Sequence, residues 1–146
     1  MKRSLTKICP AFLIAVALFG CGGSDSTAPS SPLVGSYNAV QFITTGSSGQ
    51  TNQILAGSTL SIDLAANGTT TGHLHVAPSG VNPAFDADMA GTWAQNGSAV
   101  TFSQTADTFV RNMTFTVAAG GSSWQLAADQ VISGTRIQIT LSQVAI

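Results

Sequence analysis

His73 and His75 stand two apart in Gly-His-Leu-His-Val, and Asp86 and Asp88 stand two apart in Phe-Asp-Ala-Asp-Met. In an extended segment such residues point to one face, so each pair presents two like groups side by side. A His-x-His pair can offer two imidazoles to one metal ion, but zinc takes three or four protein ligands, and here the third would have to be an aspartate distant in sequence. The histidine face is opposite Leu74 and Val76, so the expectation is a pair of solvent-exposed imidazoles with no metal assigned. Asp86 begins no EF-hand, because no acidic residue lies twelve positions into the run. Two aspartates on one segment also do not face each other across a cleft as glycosidase carboxylates must. With Pro83 upstream and Gly91 downstream, a loop or strand entry is expected for them. No Gly-x-Ser-x-Gly elbow, phosphate-binding glycine loop or Cys-x-x-Cys pair occurs after residue 21, so neither enzymatic chemistry nor a cofactor is expected. Asn67-Gly68-Thr69, Asn96-Gly97-Ser98 and Asn112-Met113-Thr114 match the glycosylation acceptor pattern but read as turns and polar strand faces.

The remaining chemically distinctive residue is Cys21. Before it, Lys2, Arg3 and Lys7 form a basic start, and Ile8 to Phe19 is apolar apart from Pro10. That run is too short for a membrane span, which needs about 20 apolar residues. A basic start, a short apolar centre and the small residue Gly20 are the parts of an export signal. Leu18-Phe19-Gly20-Cys21 resembles the lipobox of bacterial lipoproteins, with Phe19 where that family prefers a small residue. The resemblance implies cleavage before Cys21, a diacylglycerol on its thiol and acylation of the new amine. Two or three chains, at about 0.8 kcal/mol per buried methylene, hold a protein on a membrane. Gly22 stands where inner-membrane lipoproteins often carry Asp, which implies the outer membrane. The expected organisation is a signal peptide over 1–20, a lipidated flexible tether over 21–32, small, polar and proline-punctuated, and one domain over 33–146.

Removing the signal leaves Arg111 and Arg136 against six aspartates, a side-chain balance of −4 where the whole chain has −1. A domain with two cations has no footprint for phosphates, so nucleic acid is excluded as a partner. Cys9 leaves with the signal and Cys21 is committed to lipid, so no disulfide can form within the mature chain. Its stability must come from a core.

From Leu33 onward apolar residues alternate with polar ones and helical periodicity is almost absent. Val34–Thr44, with Tyr37, Val40 and Phe42, reads as the first strand, and Thr45–Gly57 as a polar loop. Leu60, Ile62 and Leu64 alternate in the next strand, and Asn67-Gly68 turns it into Thr69–Val76. A second Asn-Gly, at 96–97, joins Gly91–Gln95 to Ser98–Gln104; this dipeptide is the strongest short hairpin signal. The spacing of Asp107 and Arg111 predicts a helical turn with an i,i+4 charge pair. Met113–Val117, Trp124–Ala128 and Ile137–Leu141 complete eight strands in hairpin order.

Eight antiparallel strands with one apolar face each bury it as an up-and-down barrel or as a two-sheet β-sandwich. The barrel is the expectation, because closure removes free edges from a chain with few charges to guard them. Gly35-Ser36-Tyr37 at the first strand, the long loop after it, and Gly134-Thr135-Arg136 at the last strand resemble the lipocalin-like domains of bacterial lipoproteins. In lipocalins proper a Gly-x-Trp opens the first strand and an arginine covers its ring, so the resemblance implies Arg136 over Tyr37 by a cation–π contact. A barrel of this size can admit one small molecule, and the aromatic content of its inward face gives the expectation of a small apolar ligand, with Tyr37, Trp93, Phe102, Phe115, Trp124 and Arg136 as candidate binding residues. An eight-stranded barrel can equally be filled by its own side chains. The alternative is then a solid module that meets a protein partner through its Thr, Ser and Gln surface.

Overall fold

The computed structural model describes residues 31–145, so the signal segment, Cys21 and the tether as far as Ser30 lie outside the described residues. The strands run β1 (Gly35–Gly46), β2 (Gly49–Asn52), β3 (Thr59–Leu64), β4 (Thr69–Val76), β5 (Phe85–Asn96), β6 (Ala99–Gln104), β7 (Thr114–Gly120), β8 (Ser123–Ile132) and β9 (Thr135–Gln143). A single 3-10 turn, Phe109–Asn112, stands between β6 and β7. Every pairing is antiparallel, and β9 returns to β1 over Tyr37–Thr45, closing an eight-stranded up-and-down barrel. The sandwich alternative is thereby excluded.

β2 is the extra strand. It pairs only with Ile43–Gly46 of β1, on the side where β3 pairs with Gly35–Asn38. The sequence places these residues in a polar loop, because Gly49-Gln50-Thr51-Asn52 has no apolar alternation to mark it. All four residues are exposed, so backbone pairing with β1 holds them, helped by the Asn52 side chain, which accepts from the Leu55 N–H.

β1 departs from a simple alternation. Tyr37 and Phe42 differ in parity, yet both are buried to within 1 % of full. Between them Ala39 faces Leu141 while Gln41 faces the next residue back, Thr140, so β1 spends one extra residue there. This β-bulge turns the later half of β1 over, so that Phe42 returns to the inward face while Val40, at the bulge, is 59 % exposed.

The interior is one contiguous apolar cluster. Leu60, Ile62 and Leu64 from β3, Leu74 from β4, Val100 and Phe102 from β6, Phe115 from β7, Leu126 from β8 and Ile137, Ile139 and Leu141 from β9 all point into it. Each such side chain contributes roughly 1.5–3 kcal/mol of burial. Both barrel ends are filled too. Where the chain enters, Leu33 is buried and its carbonyl accepts a 2.8 Å hydrogen bond from the Tyr37 hydroxyl. At the other end the 3-10 turn inserts Val110, and Phe109 packs on Phe42 with ring centroids 5.6 Å apart. The Asp107–Arg111 ion pair predicted for this region forms at 2.6 Å.

Candidate functional site

The candidate ligand-binding aromatics are brought together, but as packing. Phe102 and Phe115 meet edge to face at 5.4 Å between centroids, and neither is more than 5 % exposed. Such pairs add about 0.5–1.5 kcal/mol beyond their burial. Trp93 packs on the core while its indole N–H donates to the Ala65 carbonyl at 3.0 Å, which ties β5 to the β3–β4 turn. Trp124 also packs on the core, from the start of β8. Tyr37 is enclosed, and burial pushes its phenol up to about 12.

Arg136 does not cover Tyr37. The register of β1 and β9 sets Tyr37 opposite Gln143 but Arg136 opposite Thr45, at the other end of the barrel. Ile137 beside it takes the inward face, so Arg136 points out and grips Asp129 on β8, Nε to Oδ1 at 2.8 Å and Nη2 to Oδ2 at 2.5 Å. That grip holds the Asp129 carboxyl below the usual carboxylate range. The lipocalin-like expectation for this arginine fails because inward and outward faces alternate along a strand.

Open grooves mark the described surface. One of about 560 Å³ crosses the outer faces of β7, β8, β9 and β1, between Gln41, Thr116, Ala127, Asp129, Gln138 and Thr140. Another of about 330 Å³ lies at the barrel end reached by β2, lined in part by Thr44, Gln53, Ala77 and Asn82. A third of about 300 Å³ lies beside Ala39, Ile54 and Leu60. None has Tyr37, Trp93, Phe102, Phe115, Trp124 or Arg136 in its wall. Inside, the Gln104 amide is buried with no protein partner for either polar atom among the described residues.

The second locus is one that sequence reading split in two. Of the loop or strand entry expected for Asp86 and Asp88, the structure has the strand entry: β5 begins at Phe85, and its antiparallel pairing with β4 sets His73 opposite Asp88 and His75 opposite Asp86. The residues missed as strand are Phe85–Ala90, because Asp is disfavoured in strands and the run carries two of them. Pairing turns two dyads into one quartet on the outer face of the β4–β5 hairpin. His73 Nδ1 lies 2.9 Å from Asp88 Oδ1, His75 Nδ1 lies 2.7 Å from Asp86 Oδ1, and His73 Nε2 lies 3.4 Å from that same oxygen. The Asp88 carboxylate beside it raises His73 above the ordinary imidazole range, and the hydrogen bond from His75 lowers Asp86. The histidines are outward, as their parity required, and 45 % and 32 % exposed as side chains. No protein-family model matches the chain, and neither curated proteins nor solved structures yield a match to it.

Proposed function

We propose that this chain is a lipid-anchored protein of the bacterial cell envelope whose barrel is a solid, non-enzymatic module that works through its outer surface. The observation that carries the second half is the filled interior. Of the aromatics that would line a ligand pocket, Phe102 and Phe115 are packed on each other, Tyr37 is tied to Leu33 at the entry end, and Trp93 and Trp124 pack on the same apolar cluster. A pocket for a drug-sized molecule is an unfilled space of some 300–1,000 Å³ that takes up most of the ligand's surface. Here the grooves of that volume lie outside the aromatic cluster.

The anchor half rests on the lipobox-like Leu18-Phe19-Gly20-Cys21. With Cys21 acylated, the domain hangs from the barrel end where Leu33 enters. The long loops, 53–58, 77–84 and 105–113, are at the opposite end and would face away from the lipid surface. Outer-membrane attachment follows the Gly22 expectation, and a protein partner would be another envelope component.

Titrating the purified chain with a fluorescent fatty acid while exciting Trp93 and Trp124 tests the solid core. No quenching or energy transfer is expected, and saturable transfer at micromolar probe would return the ligand-binding reading. For the anchor, Cys21→Ser is expected to leave the membrane fraction and appear as soluble protein. Complete retention with membranes would end the lipoprotein reading.

A further inference from the structure

We propose that His73, His75 and Asp86 bind a divalent transition metal ion of the zinc class on the outer face of the β4–β5 hairpin, with Asp88 as a positioning residue. The missing third ligand is supplied by strand pairing. Asp86 reaches both imidazoles with one oxygen, so a nitrogen of each histidine and a carboxylate are neighbours at the surface. Two imidazoles and one carboxylate, with water in the remaining position, are a donor set that zinc and its neighbours accept.

Spacing supports this. Two donors about 2.1 Å from a tetrahedral ion stand roughly 3.4 Å apart, and His73 Nε2 lies 3.4 Å from Asp86 Oδ1. The His75–Asp86 separation of 2.7 Å is that of a hydrogen bond. As they stand, no three of these donors enclose a cation among the described residues. Loading exchanges the shared proton for the ion and opens that contact by roughly 0.7 Å to the tetrahedral spacing, a side-chain adjustment for groups 32 % and 57 % exposed. Asp88 engages His73 at Nδ1, which leaves Nε2 as the ligating nitrogen; a carboxylate behind a histidine orients metal ligands in this way.

Charge points the same way. Among the described residues, the arginines Arg111 and Arg136 are engaged by Asp107 and Asp129. The outward neighbours of the quartet on β3 are Thr59, Ser61 and Asp63, with no cation among them. The face therefore carries uncompensated carboxylates beside two imidazoles.

The test is isothermal titration of the full chain in detergent with zinc chloride, repeated on Cys9→Ser/Cys21→Ser to remove thiol ligands. One ion per chain is expected in both. His73→Gln/His75→Gln should weaken binding at least tenfold with an unchanged β-sheet circular dichroism spectrum. Asp86→Asn keeps a hydrogen-bond partner for the histidines and should weaken binding comparably, which covers the case of a misfolded double variant. Asp88→Asn should weaken it by less than either. Absence of binding to the thiol-free chain, or equal affinity in Asp86→Asn, would overturn the proposal.

Discussion

Tyr37 shows how one side chain can serve both closure and plugging. Its ring fills the barrel at the entry end, and its hydroxyl donates to Leu33, whose own side chain closes that end. It is the chain's one tyrosine, so its titration can be read without overlap. The phenol is expected to ionise near 12 in the folded protein, seen as phenolate absorbance, against 10 in denaturant. A group whose folded pKa is raised stabilises the fold fully below its unfolded pKa, and that contribution is lost as pH rises through the folded value. Stability should therefore decline from pH 10 towards pH 12. Tyr37→Phe should remove this decline and cost about 1–2 kcal/mol at neutral pH by leaving the Leu33 carbonyl without its donor.

At the scale of elements, the informative feature is how β5 bends. Its first part, Phe85–Ala90, pairs with β4 alone, its last part, Trp93–Asn96, with β6 alone, and the two ladders overlap only at Gly91 and Thr92, so the strand turns a corner near Gly91. A Cβ at Gly91 would collide with the Ser103 backbone oxygen across the β5–β6 ladder, so the close approach of the two backbones needs glycine. Gly91→Ala should destabilise by roughly 1–3 kcal/mol as an overpacking change, lowering the urea midpoint with an unchanged slope. A variant as stable as the parent would show that the corner bends elsewhere.

For the whole molecule, closure of β1 on β9 is the decisive contact. Leu141 sits at that seam, fully buried, opposite Ala39 on β1 and Leu126 on β8. Leu141→Ala should cost about 2–5 kcal/mol. If the barrel unfolds as one unit, tryptophan fluorescence and circular dichroism should shift together in that variant. A fluorescence transition preceding the other would mean that the seam opens first.

Most of this architecture was legible because a strand that buries one face must alternate, and the alternation survives in Leu60-Ile62-Leu64, Met113-Phe115-Val117 and Ile137-Ile139-Leu141. The Asn-Gly turns at 67–68 and 96–97 set hairpin order by local geometry alone. What stayed hidden depends on neighbours. β2 exists because β1 offers a partner edge, and the bulge between Ala39 and Gln41, which lets Tyr37 and Phe42 both face inward, appears only in the pairing with β9. Arg136 was assigned to Tyr37 by likeness, whereas strand parity and register give it to Asp129. The His73/His75 and Asp86/Asp88 dyads could each be seen, but nothing local says that they face each other, since the register across the 77–84 loop is fixed only when Leu74, Met89 and their neighbours pack inward. By itself the sequence determined the alternation, the hairpin order and the sign of the charge, which are properties of adjacent residues. Only the tertiary structure decided which outward groups became partners and whether the barrel was filled, because both follow from register and volume, which belong to pairs of strands rather than to any one of them.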